Sequence, residues 1–541
     1  MINDIPVRAF NKRTTQWEIP IEGAADVVSR FEGIPEVSID PIIIGKVNRH
    51  NELIASKFSI PPLPEHDSLI KSSMLDHQKY WLGFSRHFKA VANLCEQGTG
   101  KSKMALDWVA IKHFDLVLLV AKNSNVYKWA VEVKKHSDFE PYILKGTKQE
   151  RLDILHKAVY DRKSNATSIV IINYEYVQPL LQSFLNFNFD ALILDESTAI
   201  KNTSTKRHKA IIKLGDRCPN KLILTGTPLV NSPMDAFGQL RFINKNILGS
   251  NFITFKSRYC IMGGYGGYQA IGYKNLEELK DKIERYSYRV LKKTCLDLPD
   301  KIIQILDVEP TQEFKKRYKE LIEAELIEVE DRFIDNTLML TKINRLQQLC
   351  DGFMYTDSQA GQYNLYGSPK LDELVDFMDD HFQSNGKLII WAKYKATIKI
   401  LYERLRTTFP KVTFDCISGE TPVNVRQNLL DAFNDTYIPQ SQMRCLILQT
   451  ASMMHGVDIR CDTAVYYSLS WSNEEWLQSQ DRIHGINRGE GNKCTYIVLS
   501  IPGTIERSIY KALERKKKLS DFVLNDVSDI RNLFTGGGNG L

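Results

Sequence analysis

A chain of 541 residues, 43% hydrophobic and 25% charged, is too long for one ordinary core and too apolar for a disordered protein, so two or three globular domains are expected. No apolar run is long enough to span a membrane and the opening "MINDIPVRAF" is not a secretory signal, which argues against a membrane or exported protein. The net charge of +6 permits a polyanionic partner without requiring one, and nine scattered cysteines with no C-x-x-C pair suggest neither a zinc site nor a disulfide framework, as in a reducing cytoplasm.

Residues 1–70 read as a separate small piece. "TQWEIPIE" alternates as a strand does, and "PPLPEHDS" at 61–68 reads as a linker. Between 71 and 249, short apolar runs alternate with amphipathic helical stretches. "LVLLVA" at 116–121, "SIVIINY" at 168–174, "ALILDE" at 191–196 and "KLILTG" at 221–226 end in polar or small residues, the pattern of buried parallel strands with functional groups at their carboxyl ends. Residues 250–365 change character, with a Gly/Tyr-rich loop, "GGYGGYQAIGY", and then long charged helices such as "EFKKRYKELIEAELIEVEDRF". Strand–helix alternation returns over 366–520 in "KLIIWA" (387–392), "RCLILQT" (444–450), "TAVYYS" (463–468) and "TYIVLS" (495–500). The tail 521–541, ending "FTGGGNGL", reads as disordered. The fold class expected is α/β, with two parallel-sheet lobes, a helical insertion between them and a small β-rich N-terminal domain.

The stretch "NLCEQGTGKSKMALDW" at 93–108 has the form of a phosphate-binding loop entering a helix. Backbone N–H groups around Gly98, Thr99 and Gly100 and the helix N-terminus would face phosphate. Lys101 would reach the β/γ oxygens and Ser102 would hold Mg²⁺. Cys95 stands where the usual pattern has glycine. The second component is "ALILDEST": Asp195 is suited to hold the metal and Glu196 to orient or deprotonate the attacking water.

These segments resemble motifs I, II and III of the Swi/Snf-type helicase-like ATPases of superfamily two, through "LCEQGTGKS", "LILDESTAIKN" and "LILTGTPLVNSPMDAFGQLRFI". That family commonly writes its first motif "DEMGLGKT", so a non-glycine at Cys95 is normal there. The resemblance continues through Gln78 in "LDHQKYWL", Trp129 and Glu132 in "VAKNSNVYKWAVEVKKH", Tyr174 in "VIINYEYV" and the signature-like "YRVLKKTCLDLPDK". In the second lobe it runs through "GKLIIWAKYKATIKIL", the Gly419, Arg426 and Phe433 segment, "LQTASMMHGVDI" and "WSNEEWLQSQDRIHGINR". The N-terminal "VRAFNKRTTQWEIPIEGAADVVSRF", with Trp17, resembles the small HARP-type domain of annealing helicases, and a generic β-hairpin is an equal reading of it.

The resemblance implies two RecA-like lobes that close on ATP and Mg²⁺, with Gln78 reading adenine and Gly456 and Asp458 also at the nucleotide. Thr225 and Thr227 would link the phosphate site to DNA. Sequence-blind contacts to the DNA backbone would come from Lys122 and Asn123 in the first lobe and from Lys393, Thr450 and Ser452 in the second. The family's motif VI carries two arginines. Here Arg482 matches the first, Gly485 replaces the second and Arg488 stands three residues on, so Arg482 and Arg488 are expected to share the finger's work, with Arg488 nearer the γ-phosphate. Trp471 and Trp476 read as second-lobe core. The function implied is a DNA-dependent ATPase and translocase that remodels forks and four-way junctions, acting as a monomer in the cytoplasm of a bacterial or phage-infected cell. Three alternatives stay open: a strand-separating helicase, a protein–DNA remodeller and the motor of a restriction-type complex.

Overall fold

The structure, a computed structural model, describes residues 38–55, 70–161, 167–249, 251–263, 269–295, 300–330, 336–356, 361–384, 386–435, 443–452, 459–484 and 493–524, with residues 9–11, 16–18 and a few single positions besides. It divides into two compact units, residues 1–296 with 519–541, and residues 297–518.

In the first unit the strands are β1 (Ala9–Asn11), β2 (Gln16–Glu18), β3 (Ala90–Asn93), β4 (Leu116–Ala121), β5 (Glu140–Ile143), β6 (Ser168–Asn173), β7 (Ala191–Asp195), β8 (Asn220–Leu224), β9 (Cys260–Gly263), β10 (Gln269–Tyr273) and β11 (Ser287–Tyr288). Seven of them form a parallel sheet in the order β11-β3-β8-β7-β4-β6-β5. Side chains alternate across it. Leu116, Leu118 and Val120 of β4 enter one core layer, and Val117, Leu119 and Ala121 enter the other. Both faces are therefore covered, which is why β4 reads as an unbroken apolar run. Each such buried side chain stabilises by about 1.5–3 kcal/mol. Pro141 sits in β5, at the sheet's edge, where a missing N–H costs least.

The second unit holds β12 (Lys301–Asp307), β13 (Phe353–Tyr355), β14 (Tyr363–Leu365), β15 (Lys387–Ala392), β16 (Thr413–Ile417), β17 (Arg444–Gln449), β18 (Thr463–Tyr466) and β19 (Cys494–Ser500). Its parallel sheet runs β12-β19-β18-β15-β17-β16, again with a core on each face. The two parallel-sheet α/β lobes are thus as expected.

Residues 250–365 are less helical than their composition suggests. The charged helices are there, at Gln312–Glu330 and Asn336–Cys350. However, β11 and β12 are edge strands of the two large sheets, and the Gly/Tyr-rich stretch falls across the hairpin β9–β10. Near the N-terminus β1 and β2 pair antiparallel, with Phe10 opposite Trp17, and a helix spans Pro41–Ala55. Among the described residues no helix is long and apolar enough to cross a membrane.

Candidate functional site

The phosphate loop leaves β3 at Asn93, whose buried side chain accepts the Cys95 N–H at 3.1 Å and turns the chain. The helix Lys101–Ile111 then starts from Gly100, at φ +84°. Glycine is required there twice over, because a Cβ would also stand 2.4 Å from the Gln78 amide nitrogen. The Thr99 hydroxyl and the Lys101 ammonium both donate to the Glu96 carbonyl, at 2.8 and 3.0 Å. Lys101 therefore curls back over its own loop, with Ser102 next to it in the first helical turn, where the macrodipole favours an anion. Burial pushes the Cys95 thiol up to about 12, so this residue packs as a neutral group.

Gln78 is buried against this loop. Its amide donates to the Thr99 carbonyl at 3.2 Å and accepts the Leu75 N–H at 3.0 Å, and His77 bonds the same carbonyl at 2.8 Å. In this conformation Gln78 braces the phosphate loop through one N–H and one lone pair of its amide.

At the end of β7, Asp195 is followed by Glu196, which meets the loop. Gln97 of the loop donates to Glu196 Oε1 at 3.3 Å. Glu196 has φ +51°, a left-handed conformation that costs a non-glycine residue about 1–3 kcal/mol and that clusters at working sites. Asp195 is held from three sides. The Asn125 amide and the Trp129 indole N–H donate to its Oδ2 at 3.0 and 2.9 Å, and the Tyr174 hydroxyl donates to its main-chain carbonyl at 2.8 Å. Burial, and then the two carboxylates, hold the Tyr174 phenol well above its ordinary range, so it remains a donor.

Thr225 is fully buried, and its hydroxyl accepts the Thr227 N–H at 3.2 Å. Between them, a Cβ on Gly226 would meet Gln97 N at 3.0 Å. This turn therefore packs on the phosphate loop. Thr225, expected to help link the phosphate site to DNA, has no exposed surface. The Thr227 hydroxyl is buried without a hydrogen bond among the described residues.

The segment after β11 clamps the loop from outside. Main-chain bonds run from Leu94 to Tyr288 and from Glu96 to Val290, and Lys292 N–H donates to Glu96 Oε2 at 2.7 Å. Arg289 donates to the Leu94 carbonyl at 3.3 Å and lies 4.0 Å from Glu96 Oε1. A Cβ on Gly98 would meet Lys292 Cε at 3.0 Å. These residues lie in the stretch "YRVLKKTCLDLPDK".

No group of three or more His, Cys, Asp or Glu suited to a metal occurs among the described residues. The donors expected to hold a metal are the Ser102 hydroxyl and the Asp195 carboxylate. That set suits Mg²⁺, which keeps several waters and takes its other ligands from substrate phosphates.

The DNA-contact candidates lie at carboxyl ends of strands. In the first unit Lys122 is half-buried and Asn123 exposed just beyond β4, and Asn123 Oδ1 accepts the Asn173 amide at 3.2 Å. In the second unit Lys393, Thr450 and Ser452 gather beyond β15 and β17, where the Thr450 hydroxyl is buried on the Ala392 carbonyl. Ser452 donates to the Gln449 carbonyl, and its own carbonyl takes Arg426 at 2.9 Å. Lys393 is committed to the helix Asn336–Cys350, through Asn344 at 2.9 Å and Gln347 at 2.7 Å. Arg482 is buried, with Nε on the Gln478 carbonyl at 3.2 Å. Trp476 packs on Tyr466 in the core, as expected. Gly456, Asp458, Gly485 and Arg488 lie outside the described residues.

The family described as SNF2-related domain matches residues 40–353, and that described as helicase conserved C-terminal domain matches 369–487. The chain is 24% identical to the DNA repair and recombination protein RAD54B of Gallus gallus, over 91% of this chain and 60% of that protein. It is 22% identical to the ISWI chromatin-remodeling complex ATPase ISW1 of Saccharomyces cerevisiae, over 82% and 40%. With the DNA excision repair protein ERCC-6 of Homo sapiens it shares 25% identity, over 77% and 29%. The chain spans at most 60% of the length of these relatives. Among solved structures it is similar to the Sulfolobus solfataricus SWI2/SNF2 ATPase core in complex with dsDNA, at 20% identity and a TM-score of 0.39, covering 86% of this chain and 95% of that one.

Proposed function

The chain belongs to the SNF2-related family of helicase-like ATPases, and from that premise we propose that it hydrolyses ATP in its first unit to move along DNA and to remodel forks and four-way junctions by fork regression, branch migration and annealing. The observation that carries the ATPase reading is the Gln97–Glu196 hydrogen bond, which joins the phosphate loop to the carboxylate end of β7. Phosphate enters at the N-terminus of the helix Lys101–Ile111, where Lys101 exchanges the Glu96 carbonyl for phosphate oxygen. Ser102 and Asp195 would hold Mg²⁺, which when bound would neutralise charge on the phosphates. Glu196 orients the water that attacks the γ-phosphorus and takes its proton as the bond to the β-phosphate oxygen breaks.

The DNA part rests on the polar residues beyond β4, β15 and β17 and on relatives whose names refer to DNA repair and recombination. Contacts to phosphate are sequence-blind, so affinity falls steeply with salt. The branched-DNA part rests on the hairpin pairing Phe10 with Trp17 and on its HARP-like sequence. The test is an ATPase titration with single-stranded, duplex, forked and four-way DNA, run beside a fork-regression assay. Duplex and branched DNA are expected to stimulate most, and Trp17→Ala to reduce fork regression more than basal ATPase. Strand displacement without annealing would replace this reading with a strand-separating helicase.

A further inference from the structure

We propose that Trp129 and Asn125 are positioning residues for magnesium, acting through Asp195. The inference rests on the nucleotide site described above and names what sets its metal-holding carboxylate.

A carboxylate at a strand end rotates easily about its last torsion, whose energy profile is broad and roughly two-fold. Here both N–H donors fall on the same oxygen, Oδ2, and neither on Oδ1. The two oxygens are thus made different: one is fixed to the protein, and Oδ1 is left for the metal and its waters. Asn125 and Trp129 are four residues apart at the start of the helix Val126–His136, so they share a face and reach Asp195 together. Neither donor can swing away. Trp129 is 3% exposed and packed in the core layer beneath the sheet, and Asn125 is buried with its Oδ1 turned to the Ser124 hydroxyl at 3.5 Å. Tyr174 fixes the main chain of the same residue. The arrangement gives the indole at 129 a role beyond filling the core, one that a phenyl ring could not take. Only the indole carries an N–H, and its bond to a carboxylate is charge-assisted.

The experiment measures binding of a fluorescent ADP analogue to full-length protein, titrated with Mg²⁺ and separately in EDTA. Trp129→Phe and Asn125→Ala are each expected to weaken the Mg²⁺-dependent gain in nucleotide affinity about 10-fold, the lower end for lost partners of a metal-holding residue. Binding in EDTA is expected to stay at the wild-type value, while the thermal midpoint falls by a few degrees because each variant loses a buried charge-assisted hydrogen bond. If Trp129→Phe does not fold, Asn125→Ala carries the test alone. Unchanged Mg²⁺ dependence in these variants, with the dependence lost in Asp195→Asn, overturns the positioning role and leaves the site intact. Equal loss in EDTA and in Mg²⁺ also overturns it, because that is the mark of general packing. Wild-type Mg²⁺ dependence in Asp195→Asn removes the assignment of the metal site, and this proposal with it.

Discussion

Lys101 in the first unit and Lys370 in the second each stand at the first turn of a helix beside a parallel sheet, and their surroundings are opposite. Lys101 is half-buried and, among the described residues, has one acceptor, the Glu96 carbonyl. Lys370 is fully buried and meets Asp351 Oδ1 at 2.8 Å, the Tyr467 carbonyl at 2.6 Å and a Glu506 carboxylate oxygen. Its partners are saturated in turn, since Thr397 donates to Asp351 and Ile501 N–H to Glu506. Burial pulls the Lys370 ammonium down, but the two carboxylates outweigh it and hold it above its ordinary range. A single carbonyl is readily exchanged for phosphate. A cation with every donor occupied in a dry site has no such freedom, and removing it strands two buried carboxylates. The contrast separates a lysine set up to bind from a lysine that holds a lobe together.

Substitutions at the two lysines and at the site around Lys101 sharpen that contrast. Lys101→Ala should abolish ATP hydrolysis with the unfolding midpoint unchanged, whereas Glu196→Gln should bind ATP and fail to hydrolyse it. Wild-type turnover in Lys101→Ala would remove the binding role. Next in size, Arg488→Ala should lower kcat by about 10³–10⁵ at nearly constant ATP and DNA affinity. Normal turnover there, with Arg482→Ala inactive, would transfer the finger's role to Arg482. Lys370→Met should cost about 3–5 kcal/mol in urea unfolding of the second unit. A loss below about 1 kcal/mol would show that the cluster is not the closed site described.

The smallest effect concerns Lys393, whose ammonium burial lowers to about 8 from 10.5. Between those values the unfolded chain binds a proton that the folded protein has released. The Lys393 contribution to stability therefore rises with pH across that window, and its burial penalty is fully present below about 8. The difference between wild type and Lys393→Met, measured from pH 7 to 10.5, should change by about 1–2 kcal/mol. A flat difference would put that ammonium in water.

Long central strands were the most legible part of the fold. β4, β6, β7, β15 and β17 are buried on both faces and announce themselves as apolar runs. The strands that escaped notice are mostly edges: β5 with its proline, the two-residue β11, the half-exposed β12 and β16. An edge strand has one neighbour and less burial, so its sequence carries a weaker signal. β3 is a different case, a buried strand only four residues long.

At the site, the chain's own order of motifs already placed Lys101, Ser102, Asp195 and Glu196 in their proposed roles, because a glycine-rich turn before a helix and a carboxylate pair after an apolar strand are local patterns with local physics. What only the tertiary structure decided is who holds them. Trp129 reaches Asp195 across 66 residues, Gln97 reaches Glu196 across 99, and Lys292 reaches Glu96 across 196. A hydrogen bond is directional and acts over about 3 Å, so it exists only once sheet order has brought those chain segments together, and no window of sequence contains both of its ends.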